Sequence, residues 1–285
     1  MKVLDATYQA RAVPPGTPRY WSWLFAAAEA RAPLLGIYAL GAEWQALMDP
    51  ATETGVAHLK LAWWREEMQR LAAGSAVHPI SSYLADLPRA ASADFTPLLA
   101  AVNAAAAQVG GVPLERDADL EPQAQALWGG PLALASRLAA GSSDETGLNE
   151  TDLSNCTAAL AAAGYLSQAL RGYRRDARTG RVPFAVDELM AAGVDNEDLI
   201  ADPAPAHLQD YLDSLRRRAV RYFESAAQAL PRAHRSAHRH LLVLAALGLA
   251  QLNAQAPLNG REAPQERRRL KDMLLAWNTA RRAHR

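Results

Sequence analysis

The stretch LRGYRRDARTGRVPFAVDELMAAGV, residues 170–194, decides how this chain is read. Its first part, LRGYRRDARTGRVPF, sets five arginines, Arg171, Arg174, Arg175, Arg178 and Arg181, around the single carboxylate of Asp176. The pattern predicts the end of a helix over 152–178, with Glu150 and Asp152 at its positive end and Gly180 as a left-handed stop after Thr179. Residues three, four and seven apart share a helix face, so Arg171, Arg174 or Arg175, and Arg178 form one stripe, with Asp176 beside it and Arg181 just beyond. Guanidinium forks so arranged suit the oxygens of a phosphate or diphosphate. The same residues also read as long side chains on exposed last turns, favoured by the negative helix end. Residue chemistry leaves both readings open.

The chain has 285 residues, half of them hydrophobic, and 30 basic against 30 acidic side chains. That length supports a large core. Zero formal charge removes the general attraction that nucleic acid needs, so no nucleic-acid partner is expected, while a local basic cluster can still hold a small anion. Cys156 is the only cysteine, which excludes an internal disulfide or a Cys-based zinc site and fits a reducing compartment. The start, MKVLDATYQARAVPPGTPRY, lacks the apolar core of a signal peptide. The run LLVLAALGLA at 241–250 is about half of the roughly 20 residues that span a bilayer. The expected location is cytoplasmic, with peripheral membrane contact compatible.

Alanine and leucine dominate and alternating strand patterns are lacking, which predicts an all-α chain. Helices are expected over about 19–30, 32–48, 53–73, 78–86, 94–109, 120–140, 152–178, 185–192, 206–230, 233–255 and 264–283. Breaks fall at Pro14-Pro15-Gly16, Gly110-Gly111, Gly141-Ser142-Ser143, Asp202-Pro203-Ala204-Pro205 and Pro257 to Gly260. No loop is long enough for an interdomain linker. The expected plan is an extension over 1–18, a helical domain over 19–255, and a C-terminal amphipathic helix within 256–285 that packs Leu270, Leu274 and Trp277 onto it. Segments 152–170 and 241–252 are apolar or small almost all round and are expected to be buried among other helices.

Other candidates carry less. HRSAHRH at 234–240 spaces His234, His238 and His240 at metal-ligand distances, but Arg235 and Arg239 alternate with them, so a solvated helix start is expected. Trp21, Trp23, Trp44, Trp63, Trp64 and Trp128 are expected in core packing. Sequence signatures of the serine-hydrolase elbow, the phosphate-binding loop and the dinucleotide fold are all lacking.

The stretch 170–194 resembles the second Asp-rich signature of the squalene/phytoene synthase family. RYWSWLFAAAEARAPLLGIYALGAEWQALMDP, 19–50, is similar to the family's first segment, and LKLAWWREEMQRL, 59–71, with HPISSYL, 78–84, to its Trp-containing helix and following His-Pro. The likeness spans about 19–255 in order. It implies an isoprenoid-synthase helical bundle around a central apolar cavity that takes a prenyl diphosphate or related isoprenoid. Family members hold Mg2+ on two carboxylates four residues apart in each motif. Here QALMD has Gln45 in the leading place and keeps Asp49; GYRRD has Gly172 there and keeps Asp176. Ala42 stands where an Arg is usual, and Tyr165 and Gln168 where a Gln and an Asn are common; Tyr38, Arg19, Arg171, Asp176 and Arg181 match.

The resemblance thus implies Asp49, Asp176 and Tyr38 as catalytic positions. Arg19, Arg171, Arg174, Arg175, Arg178 and Arg181 become the diphosphate set, and Asp49 and Asp176 a weakened metal pair. Metal ions contribute several kcal/mol to leaving-group stabilisation, so half the ligands implies lost or strongly reduced prenyl transfer. The pattern is similar to the complex I assembly factor branch of the family, and binding of an isoprenoid-type ligand or a protein partner is the expected role. The alternative is an active head-to-head prenyltransferase using Mg2+.

Overall fold

A computed structural model describes residues 3–139, 149–254 and 265–284. The chain opens with α1, Ala6–Ala12, capped by the Asp5 carboxylate on the Thr7 amide. Its flanks Leu4, Ala12 and Val13 are buried. Then α2, Pro18–Leu24, starts from Thr17, whose hydroxyl accepts from the Tyr20 amide, with Pro18 in the first helical position. The helix expected over 19–30 therefore ends early, and α3 runs over Ala28–Met48, through Pro33. Guanidinium donors explain the break. Arg31 donates to the Leu24 carbonyl at 3.1 Å, and Arg239 to those of Phe25 at 2.7 Å and Ala26 at 3.2 Å, which satisfies backbone groups that a continuous helix would use.

Helices α4, Thr54–Ala72, and α5, Pro79–Ala85, are tied by the fully buried Glu67. One carboxylate oxygen accepts from the amides of Val77 and His78, at 2.9 and 2.8 Å, and from the Ser81 hydroxyl; the other accepts from Arg70 at 2.8 Å. Burial pushes this acid up, but the donors Ser81, His78, Arg70 and Val77 outweigh burial and hold it below its ordinary value. The Trp-containing helix and the His-Pro turn are thus joined by one carboxylate.

Next come α6, Thr96–Val109, and α7, Leu120–Ala124, which passes through a π-helical segment, Gln125–Gly129, into α8, Gly130–Ala139. The expected uniform helix over 120–140 thus contains a wider turn. Asn149 caps α9, Glu150–Ala177. Short helices α10, Val186–Ala192, and α11, Asn196–Ile200, lead to α12, Ala206–Ala229, α13, Arg239–Ala254, and α14, Gln265–Arg282. The breaks expected at Gly141-Ser142-Ser143 and Pro257 to Gly260 lie outside the described residues. Among the described residues the sole β pairing is an isolated bridge between Leu114 and Ala185. This is the all-α bundle read from the sequence.

Helix α9 packs most extensively on α12, α3 on α8, and α4 on α6. A continuous buried cluster runs from Leu4 to Leu252 and includes Leu153, Cys156, Leu160 and Leu166 of α9 and Leu241, Ala245 and Leu252 of α13, so the helices read as apolar all round do lie inside.

Further expectations are overturned. Trp63, expected in the core, is 40% exposed, with Trp64 the buried member of the pair. His238 and His240 are buried, not solvated; His240 Nε2 lies 3.2 Å from the Ser136 hydroxyl, and no metal-sized cluster of ligating side chains forms among the described residues. The reason is position: α13 begins at Arg239, and its entry is drawn inward by the contacts of Arg239 with the α2–α3 turn. In α14 the packed side is Ala276, Ala280 and Ala283 with Asp272, set against α13 and α2, whereas Leu270, Leu274 and Trp277 are 61%, 53% and 46% exposed. Alanines permit close helix approach, and that small-residue face wins over the larger apolar stripe.

Candidate functional site

Helices α3 and α9 furnish two walls of a cavity of about 830 Å3. Gln45 and Asp49 line it from one side and Gly172 and Asp176 from the other, so the two motifs read from the sequence face the same space. A second, mainly apolar cavity of about 380 Å3 is lined by Ile37, Tyr38, Trp44, Trp128, Phe223 and Leu244. Arg19, Gln45, Gln168 and Arg171 line both, and so form a polar neck between a wet mouth and a greasy interior. Trp128 and Leu127 reach the inner cavity from the π-helical segment, whose wider turn displaces them from regular α spacing.

The carboxylates are held unlike a metal pair. Asp49 follows the last residue of α3 and precedes Pro50, which keeps it out of helical conformation. One of its oxygens accepts from the Ala51 amide at 2.9 Å; the other lies 3.6 Å from Arg175. The same guanidinium is 3.4 Å from Asp176. Arg175 thus bridges Asp49 and Asp176. A Cβ built on Gly172 would stand 3.2 Å from Asp176 Oδ2, so this carboxylate folds back over the place where a leading side chain would be. Burial raises the Asp176 pKa above its ordinary value, with Arg175 and Arg181 opposing and Asp49 adding. Magnesium takes near-octahedral oxygen coordination, usually with one or two carboxylates plus phosphate and water. The residues present do not fit the two-carboxylate set on each helix, and the position between Asp49 and Asp176 carries a guanidinium.

The other predicted residues divide. Arg181 lines the mouth and donates to the Met48 carbonyl at 2.9 Å, which ties the loop after α9 to the end of α3. Arg19 and Arg171 stand at the neck. Arg171 is exposed along the cavity and Arg19 half-buried, and the surrounding protein lowers the basicity of both by desolvation; only Tyr38 acts electrostatically in favour of the Arg19 charge. Among the described residues neither makes an ion pair, and arginine stays charged when desolvated, so the neck is an anion-attracting site. Arg174 turns away, to the Tyr173 hydroxyl at 3.1 Å and Asp202 at 3.4 Å, and Arg178 caps α9 in solvent; neither lines the cavity. Tyr38 lines the inner cavity with its hydroxyl 2.9 Å from that of Ser22, and burial pushes it up to about 12. Tyr165, lining the mouth, is likewise pushed to about 12 by burial and by Asp176.

Sequence reasoning missed Gln123, Gln108 and the 111–114 loop, which complete the mouth. The Gly110-Gly111 break was visible, but nothing in it signals a cavity wall.

Comparison with known proteins agrees with this geometry. The family model for squalene/phytoene synthase matches residues 14–272. A dehydrosqualene synthase crystallised in complex with a ligand superposes with a TM-score of 0.74 at 16% identity, over 93% of this chain and 92% of that one. Squalene synthase HpnC from Alicyclobacillus acidocaldarius gives 0.65 at 20% identity, over 82% and 86%. At these identities the likeness speaks for the fold. No curated protein matches the sequence.

Proposed function

The chain belongs to the squalene/phytoene synthase family, and on that premise we propose that it binds one prenyl diphosphate or a closely related isoprenoid anion, with prenyl transfer lost or strongly reduced. The headgroup sits at Arg19, Arg171 and Arg175, and the chain enters the apolar cavity past Gln45 and Gln168. The observation that carries the reading is the junction: two arginines with no carboxylate partner among the described residues stand where a polar cavity meets an apolar one. A diphosphate offers these cations charge-assisted, bidentate hydrogen bonds, and an isoprenoid tail offers the interior apolar area. The loss of one carboxylate per motif and the bridging of the remainder by Arg175 support reduced transfer. A similar loss of aspartates marks the complex I assembly factor branch, which this chain resembles in pattern.

The test is incubation of the purified protein with farnesyl or geranylgeranyl diphosphate and magnesium, with calorimetry for binding and a phosphate assay for turnover. Binding without turnover is expected. Robust magnesium-dependent release of diphosphate that Asp176→Ala abolishes would establish the active prenyltransferase instead.

A further inference from the structure

Helix α14 carries two apolar faces, and among the described residues only one is used for packing. Leu270, Leu274 and Trp277 follow one another at spacings of four and three and stay exposed, with Trp277 bordering the packed Ala280. Every exposed ionisable side chain described on this helix is a cation: Arg269, Lys271, Arg281 and Arg282. Asp272, the acid among its described side chains, is turned inward. Arg281 stacks its guanidinium over Trp277 at 4.8 Å from the ring centre. Beside Trp277 opens a groove of about 280 Å3, floored by Leu24, Phe25 and Ala280 and rimmed by Arg31, Arg239 and Arg281. Arg31 and Arg239 spend donors on the carbonyls of the α2–α3 turn, and none of the three makes an ion pair with a carboxylate among the described residues. Arg31 opposes the charge of Arg239 and Glu29 offsets it only in part, so two neighbouring arginines remain that an external anion relieves.

We infer that this face is a membrane-docking surface, in which Leu270, Leu274 and Trp277 enter the headgroup boundary of a bilayer while the groove takes the phosphate of an anionic phospholipid. The combination argues for this occupant. A soluble anion would account for the arginines but not for three large exposed apolar side chains in a line. An exposed indole with an apolar stripe and flanking cations is what interfacial helices use. No helix among the described residues is long and apolar enough to cross a bilayer, so the contact is peripheral. The placement has a consequence for access. Helix α14 packs on α2 and α13, both of which line the apolar cavity, and Arg269 lies against Gly16 in the loop before α2, next to Thr17, Pro18 and Arg19 of the cavity wall. Docking this face therefore brings the ligand cavity close to the bilayer, from which a water-insoluble chain would be drawn.

Co-sedimentation of the full chain with vesicles tests the inference. The protein is expected to pellet with phosphatidylcholine vesicles containing phosphatidylglycerol and to stay in solution with phosphatidylcholine alone, and added salt should weaken the contact. Leu270→Ser, Leu274→Ser and Trp277→Ser combined should lower binding at least tenfold, and Arg281→Glu about fivefold or more, with unchanged circular dichroism and farnesyl diphosphate affinity. Three results would overturn it: no preference for anionic vesicles, a folded triple variant that binds like the parent, or a self-association of the parent that the triple substitution abolishes. The farnesyl diphosphate readout keeps failure here distinct from failure of the ligand reading.

Discussion

The guanidinium of Arg175 lies 3.6 Å from the carboxylate of Asp49, a residue of the other motif, while its Nε lies 3.4 Å from Asp176 on its own helix. A side chain thus supplies the positive charge that faces both acids. Both partners of the Arg175–Asp49 pair are well exposed, so its stability contribution is small. Its effect is on which cation can enter. Arg175→Ala leaves two acids facing one space without a counter-ion. The variant is expected to gain thermal stability on addition of millimolar magnesium, by roughly 2–4 °C if binding reaches about 1 kcal/mol, whereas the parent should not respond. A scanning-fluorimetry titration decides it; equal response of both proteins refutes the bridging role.

The neck arginines lead to the second expectation. Arg171 and Arg19 are partly desolvated cations, and hydrogen bonds to charged groups contribute about 1.5–3 kcal/mol each. Arg171→Ala and Arg19→Ala should each weaken farnesyl diphosphate binding by about 10- to 100-fold, and Arg171→Lys should restore part of it, since an ammonium keeps charge but not the bidentate fork. Arg174→Ala, which removes a side chain directed at Tyr173 and Asp202, should change affinity little. Calorimetry with the four variants separates these outcomes.

How much of this was legible in the sequence depends on what each residue type signals. The helices and most of their burial were, because Ala and Leu runs with Gly and Pro punctuation state them locally; whether Asp49 and Asp176 face one cavity was left open by the resemblance and is answered by the packing of α3 and α9. The split of the arginine stripe was not legible. Arg171 and Arg175 line the cavity while Arg174 is drawn to Asp202, a partner 28 positions away that no spacing rule reveals. The two faces of α14 were misread for a related reason: large apolar residues suggest packing, but close approach of α13 and α2 favours Ala276 and Ala280. Likewise the inward turn of His238 and His240 rests on contacts between α13 and residues more than two hundred positions earlier.

Those histidines carry a pH dependence. Burial holds His240 down to about 3, with His238 and Arg239 adding, and His238 down to about 4, with His234 adding, against an ordinary value of 6.5. As pH falls below 6.5, the unfolded chain takes up protons at both positions that the folded chain refuses, so stability falls until pH approaches the depressed values. The melting temperature should therefore drop between pH 7 and pH 4, and His238→Gln with His240→Gln should flatten that drop while lowering the plateau at neutral pH through lost packing. A double variant with the parent's full slope would assign the acid sensitivity to other groups.

The depth of the apolar cavity is set partly by three glycines with different surroundings. A Cβ on Gly248 would meet the Phe223 ring at 2.4 Å, and one on Gly41 would meet Trp128 at 3.1 Å, whereas one on Gly164 meets nothing within 4 Å. All three line the inner cavity. Gly164→Ala should therefore stabilise α9 by about 0.5–1 kcal/mol through helix propensity, and Gly248→Ala should destabilise by about 1–3 kcal/mol through overpacking against a ring. Gly164→Phe fills the open space without a backbone clash and shortens the room for a chain. Its affinity for geranylgeranyl diphosphate should fall at least tenfold while that for a short prenyl diphosphate, whose headgroup contacts are unaltered, stays within about threefold. Parallel loss of both ligands would mean that the chain does not occupy this cavity, and unchanged affinity for both would mean that Gly164 does not limit its depth.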